Sequence, residues 1–194
     1  MVEKMNKMKG KFQSIPSLDS NSIEPFEGLV EAYYQINGYI TSANKWFWYW
    51  QDPKRHYMDI DVLAVNSNET IIVSVSGSLD KKIGLSRNGR LKDEMLKDLF
   101  VREQAYMRNV PQYQWLIEDR SVKKVIAFIW GNKLKERLLN HPKFPKNEIK
   151  LLSSNEILSE FEEKIEILEK FQKSNNPFLK TIQLFIKRNK FTEM

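Results

Sequence analysis

The chain has no cysteine, only two histidines and seven glycines scattered among its 194 residues. The missing cysteines exclude a disulfide framework and thiolate metal sites. With only His56 and His141 present, a histidine-based zinc site is not expected. The scattered glycines form no glycine-rich phosphate loop, and no serine lies in a nucleophile elbow. These absences remove most of the common catalytic classes.

Long apolar runs are absent as well. No segment reaches the length that spans a bilayer, and the N-terminus lacks the apolar core of a signal peptide. We therefore expect a cytoplasmic protein with no membrane partner. The hydrophobic share of 41% is high enough for a folded core, and the length fits one domain. We place this domain at residues 23–194, after a loosely ordered basic arm at residues 1–22.

Positive charge exceeds negative charge by six and is unevenly distributed. The arm and residues 120–146 are basic, whereas residues 156–170 are acidic. Such asymmetry suits a surface that binds a phosphate backbone, although a well-solvated basic surface has the same pattern. DNA or RNA is the expected partner. The expected nucleic-acid-binding residues are Lys81, Lys82, Arg87, Arg90, Lys123 and Lys124.

Periodicity predicts an α/β fold, with a mixed β-sheet and flanking helices. An apolar stripe repeating at helical spacing after Pro25 predicts a helix over 25–37, with Gly38 as its stop. The run VKKVIAFIW at 122–130 predicts a buried strand. Further helices are predicted at 91–109, 133–140 and 154–172 and after Pro177, with a short edge strand at 149–152.

The stretch HYMDIDVLAVNSNETIIVSVSGSL at 56–79 organises the rest of the chain. Its two halves alternate with the period of strands, around a turn at Asn66-Ser67-Asn68-Glu69. If Ser67-Asn68 is a two-residue hairpin loop, Asp61 lies opposite Ser74 and Asp59 opposite Ser76, all on one face. A half-solvated pair of strands with a polar outer face is the plainest interpretation.

The same stretch resembles the hairpin of the PD-(D/E)xK, or restriction-endonuclease-like, nuclease superfamily. In that family an Asp on the first strand precedes an acidic-x-Lys triplet on the second. DIDVLA at 59–64 supplies the Asp at Asp61, and the triplet falls on Ser74 and Ser76. The resemblance covers roughly residues 24–130. It implies a restriction-endonuclease-like core followed by peripheral C-terminal helices, with a metal-binding glutamate on the first helix at Glu27 or Glu31.

The resemblance also shows what this chain lacks. Ser74 and Ser76 replace the acidic residue and the lysine, so the catalytic positions Asp61, Ser74 and Ser76 form a degenerate site. Neutral hydroxyls bind Mg²⁺ poorly and supply no cation. We therefore expect no cofactor, or a weakly held Mg²⁺ at Asp61, Asp59 and Glu27 or Glu31. The sequence predicts a nucleic-acid-binding protein that does not cut. The alternative is a metal-dependent DNA endonuclease, a Mg²⁺-dependent deoxyribonuclease, with Lys81 or Lys82 in the missing position.

Five consecutive aromatic residues, WFWYW at 46–50, lie before the hairpin. Because side chains alternate along a strand, one face of this run packs on the core and the other needs cover. Trp46, Trp48 and Trp50 would form a stacking surface for bases. The alternative is a hydrophobic lid or a homodimer interface, in which case the protein is a structural, oligomerising scaffold.

Overall fold

The computed structural model of the chain describes residues 12–14, 24–51, 54–83, 99–167 and 175–191. Within these ranges the chain forms six strands and seven helices. The strands are β1 (Phe12–Ser14), β2 (Ile40–Gln51), β3 (Lys54–Val65), β4 (Glu69–Ser78), β5 (Ser121–Trp130) and β6 (Ile149–Ser153). The helices are α1 (Pro25–Ile36), α2 (Leu79–Ile83), α3 (Val101–Asn109), α4 (Pro111–Gln114), α5 (Asn132–Leu139), α6 (Ser154–Ile167) and α7 (Pro177–Phe191).

The six strands form one mixed sheet in the order β1-β2-β3-β4-β5-β6. The pairs β1–β2, β2–β3 and β3–β4 are antiparallel, whereas the pairs β4–β5 and β5–β6 are parallel. Parallel strands need long crossover connections, and the helices between β4 and β6 provide them. The predicted α/β class with a mixed sheet is confirmed, and β6 lies at an edge as expected.

Helices cover both faces of the sheet, and each face has its own core. On one face, α2, α3 and α5 pack over Ile72, Ile126 and Phe128. On the other, α1, α6 and α7 pack over Val73, Val125 and neighbouring residues. Because both faces of β5 are covered, its central residues form one continuous buried run. This explains why the sequence of β5 reads as an uninterrupted apolar segment.

The hairpin between β3 and β4 has the predicted loop and register. The N–H of Asn66 donates to the carbonyl oxygen of Glu69 at 3.1 Å, which closes a loop of Ser67 and Asn68. The Asn66 side chain also accepts hydrogen bonds from the N–H groups of Asn68 and Glu69, at 2.9 and 3.0 Å. Val62 pairs with Val73, as the predicted register requires.

Two predicted segments differ from the structure. Residues 12–14 of the predicted loose arm form strand β1, which pairs with β2 at Phe47–Tyr49, while the remainder of 1–22 lies outside the described residues. The predicted helix over 91–109 is not continuous, because Phe100 adopts a left-handed φ of 63° and α3 begins after it. Residues 91–98 lie outside the described residues. No helix in the described ranges is both long and apolar enough to cross a membrane.

The last helix packs directly against the first. An added Cβ at Gly28 would lie 2.2 Å from the Phe178 ring, so only glycine leaves room for that contact. Asn176 donates to the carbonyl oxygen of Gly28 at 3.2 Å and caps α7 by accepting from the N–H of Phe178 at 2.9 Å. Leu179 is buried in the same core. Helix α7 therefore helps to fix α1, which carries Glu27.

Candidate carboxylate and aromatic site

The β2–β3 pair changes face at Asn44 and Asp61. Val62 belongs to the core under α1, whereas Ile60, two residues earlier, belongs to the opposite core. The ladder pairs Ala43 with Val62 and Lys45 with Ile60 but skips Asn44 and Asp61 between them. Asn44 has a φ of 52°, a left-handed conformation that Asn tolerates better than most residues. We call residues 45–51 and 54–60, beyond this point, the outer ribbon.

Asp61 lies at the switch and bonds across to β4. Its Oδ2 accepts a hydrogen bond from the N–H of Val75 at 2.5 Å and another from the Ser74 hydroxyl at 3.1 Å. Burial raises the pKa of Asp61, while Lys82 and these two hydrogen bonds lower it in part. The carboxylate therefore takes the place of a backbone acceptor where the β3–β4 ladder ends.

Glu27 of α1 lies near Asp61, Asp59 and Asn44. Burial raises the pKa of Glu27 to about 7, and the nearby carboxylates of Asp61 and Asp59 add to the shift. A hydrogen bond with Asn44 acts in the opposite direction. The Oε2 atom of Glu27 is buried and has no hydrogen-bond partner among the described residues. Near neutral pH, both the protonated and the ionised form of Glu27 are therefore populated.

Lys82 of α2 supplies positive charge to this group, and Arg102 of α3 also acts on Glu103. Burial raises the pKa of Asp59 as it does that of Asp61, and the charge of Lys82 opposes the rise at both carboxyl groups and at Glu103. Burial raises the pKa of Glu103, and Asp61 adds to that shift. We define the carboxylate cluster as Glu27, Asp59, Asp61 and Glu103 with Lys82. No sequence pattern indicated Glu103, because α3 reaches the cluster only through the tertiary fold.

Other predicted residues lie elsewhere. Glu31 is bonded away from the cluster, accepting from the Thr41 hydroxyl at 3.0 Å and from Asn176 at 3.4 Å. The prediction that Asp59 lies opposite Ser76 is wrong. The β3–β4 ladder ends at Val62, so Asp59 has no partner on β4, and among the described residues its backbone pairs only with Trp46 on β2.

Ser76, Lys81, Lys123 and Lys124 are also outside the cluster. The Ser76 hydroxyl donates to the carbonyl oxygen of Ser78 at 2.9 Å. Lys81 is exposed, and Arg87 and Arg90 lie outside the described residues. Lys123 and Lys124 lie at the beginning of β5, toward the other end of the sheet.

The outer ribbon carries aromatic rings on both of its faces. On the packed face, the Phe47 ring stacks on Tyr106 with centroids 4.1 Å apart. The other face holds Trp46 and Trp48, whose rings lie 5.5 and 5.9 Å from that of Tyr57.

A cation accompanies the rings of this second face. The Arg55 guanidinium lies over Trp48 at 4.1 Å, and 62% of the Tyr57 surface is exposed. We call Trp46, Trp48, Tyr57 and Arg55 the aromatic face. The backbone of Trp50 pairs with Arg55, and its side chain lies outside the described part of the chain.

The carboxylate cluster does not fit a metal ion as it stands. Carboxylate oxygens are the ligands that Mg²⁺ prefers, so the residue types suit it. However, Asp61 Oδ2 is already bonded to Val75 and Ser74. Across the described residues, no three carboxylate or imidazole groups converge closely enough to hold a cation.

Comparison with known proteins gives one weak likeness. No family model matches the chain, and no curated protein matches it. Among solved structures, the chain is similar to the crystal structure of protein VC1899 from Vibrio cholerae, with 8% sequence identity and a TM-score of 0.36. The alignment covers 84% of this chain and only 32% of that protein. Neither fold nor function is inferred from it.

Proposed function

We propose that the protein binds single-stranded nucleic acid on the aromatic face of the outer ribbon and does not cut it. The observation that carries the proposal is the set of rings at Trp46, Trp48 and Tyr57, with Arg55 stacked on Trp48. Bases stack on such rings without regard to sequence, and an arginine beside them attracts the backbone.

The carboxylate cluster limits where the phosphate backbone of the nucleic acid can lie. Asp59 pairs with Trp46 and adjoins the aromatic face, so its charge repels phosphates at that end. Lys54 and Arg55 are exposed at the other end of the same strand. We therefore expect the bases to lie over the rings and the phosphates to follow Lys54 and Arg55. Lys123 and Lys124, distant from this ribbon, are not part of the proposed surface.

The test is fluorescence anisotropy with a labelled single-stranded DNA or RNA of mixed sequence at low salt. We expect Trp48→Ala to weaken binding by about tenfold, since stacking contributes roughly 1–3 kcal/mol per base. The matched control is Trp115→Ala, because Trp115 is exposed and, like Trp48, has an arginine, Arg120, over its ring. That variant should bind as the native chain does, with the same decrease in affinity as salt rises.

Two results would contradict this proposal. If no affinity for nucleic acid can be detected at low salt, nucleic acid is not the partner. If Trp48→Ala and Trp115→Ala weaken the affinity equally, the aromatic face is not the binding surface. A dimer in which Trp48 is protected from a soluble quencher would instead favour the scaffold alternative.

Lys82 favours a second candidate, a phosphodiester hydrolase with relocated groups. The resemblance to PD-(D/E)xK nucleases calls for a lysine near Asp61, and Lys82 of α2 is near enough for its charge to lower the pKa of Asp61. The test is cleavage of single- and double-stranded DNA with added Mg²⁺ or Mn²⁺. Our first proposal expects no cleavage. Cleavage that Asp61→Asn and Lys82→Ala abolish, and that Lys81→Ala retains, would establish the second.

A further inference from the structure

A second site lies away from the carboxylate cluster, where the parallel strands begin. A half-open cavity of about 300 Å³ is bordered there by the first residues of β4, β5 and β6 and by the C-terminal end of α1. Glu69, at its edge, precedes Ser74 by five residues on β4, roughly 16 Å along an extended strand. The cavity is therefore separate from the carboxylate cluster and from the aromatic face.

Lysines dominate the charge of this cavity. Lys123, Lys124, Lys146 and Lys150 border it, against the two carboxylates of Glu69 and Glu148. Lys123 forms an ion pair with Glu69, and Lys124 lies 3.8 Å from Glu148.

Two of these lysines remain available to a ligand. Lys146 and Lys150 are exposed and form no ion pair with any residue that the structure describes. The cavity therefore has two cations in excess. We call it the lysine cavity.

The inner wall of the lysine cavity is aromatic. The rings of Tyr33, Tyr34 and Tyr39 pack edge to face, with centroids 5.1 and 5.5 Å apart along the series. Burial raises the pKa of all three hydroxyls, that of Tyr39 to about 12, so they remain neutral at physiological pH. Ile71 and Val125 extend the apolar surface. A flat ring can therefore pack on this wall, and the adjoining carboxylate of Glu69 is already paired with Lys123 and accepts a hydrogen bond from the Tyr39 hydroxyl.

We propose that the lysine cavity binds a phosphate monoester attached to a planar ring, of the size of a nucleoside monophosphate. The volume lies at the lower end of the range of small-molecule pockets. Lysine binds phosphate as a point charge, and Lys146 and Lys150 both border the cavity and are exposed. The tyrosine wall then covers the ring. This inference does not depend on the proposed function.

Calorimetric titration of the full chain tests the proposal, with AMP, inorganic phosphate and adenosine as probes. We expect one AMP site, weaker binding of inorganic phosphate and no binding of adenosine. Lys146→Ala with Lys150→Ala should weaken AMP binding by at least about tenfold, because both charge-assisted contacts are lost. Both side chains are exposed, so the variant should fold, which circular dichroism will check. Lys133→Ala, at an exposed lysine outside the cavity, is the matched control and should bind AMP normally.

Two further binding measurements complete the test. Trp48→Ala should retain AMP binding, which separates this site from the aromatic face. A 5′-phosphorylated oligonucleotide compared with its 5′-hydroxyl form shows whether the phosphate comes from a strand end or from a free nucleotide. No AMP binding at millimolar concentration, or binding that the double variant leaves unchanged, would overturn the proposal.

Discussion

Glu27→Gln is expected to stabilise the protein at alkaline pH and to have much less effect in acid. The pKa of Glu27 is raised from 4.5 to about 7, chiefly by burial. Below pH 4.5 the folded and unfolded chains both hold the proton. Between pH 4.5 and about 7 only the folded chain keeps it, so the free energy of unfolding falls as pH rises, and the loss is complete above pH 7.

The magnitude follows from the shift. Each pKa unit corresponds to about 1.4 kcal/mol, so the full shift would cost about 3 kcal/mol at pH 8. Glu27 is only half-buried, and solvent screening reduces the cost to about 1 to 2 kcal/mol. Glutamine keeps the shape of the side chain and carries no charge, so the variant should recover that amount.

Urea denaturation followed by tryptophan fluorescence at pH 5 and pH 8 measures this difference. Glu27→Gln should increase the free energy of unfolding at pH 8 by about 1 kcal/mol more than it does at pH 5. The control is Glu31→Gln, one turn further along the same helix. The Glu31 oxygens accept hydrogen bonds from Thr41 and Asn176, so its replacement should give no stabilisation. Equal gains at the two pH values, or a loss at pH 8, would refute the argument.

Three further substitutions test the geometry around the cluster. Gly28→Ala should destabilise the protein by roughly 1 to 3 kcal/mol in urea, because its Cβ would overlap a ring of α7, whereas Gly77→Ala, with open space around the new Cβ, should not. Asn44→Ala should be less stable than Asn44→Gly by about 1 kcal/mol, since both lose the side chain but only alanine is strained at a φ of 52°. Lys82→Met should raise the pKa of Asp61 in a carbon-13 carboxyl titration, and an unchanged value would place Lys82 elsewhere.

The hairpin could be predicted from the sequence because its determinants are local. Alternation on both sides of Ser67-Asn68 fixes which residues face each other, so the Asp61–Ser74 contact follows by counting. Strand β5 could also be predicted from its own sequence. Because both of its faces are covered, apolar and polar residues do not alternate along it, and its centre is one apolar run.

The cluster could be predicted only in part, because its other members meet through tertiary packing. Strict alternation places Asp59 opposite Ser76, and it fails where β3 changes face beside Asn44. That change depends on packing against two separate cores, which no pattern within one strand reveals. Glu103 joins from α3 for the same reason. Glu27 and Glu31 both lie off the apolar stripe of α1, so the sequence does not show which of them joins the cluster. The position of α1 on the sheet determines this.

The change of face at Asn44 and Asp61 leaves the strand register intact. Ala43 pairs with Val62 before it and Lys45 with Ile60 after it, so each strand contributes one residue to the switch. We therefore expect insertions or deletions in the outer ribbon to be tolerated best in matched pairs, with one residue from each strand. A single extra residue in β2 would turn Trp48 toward the core and Phe47 toward solvent. When a different ribbon is grafted onto this sheet, keeping an equal number of residues in the two strands therefore matters more than the total length of the ribbon.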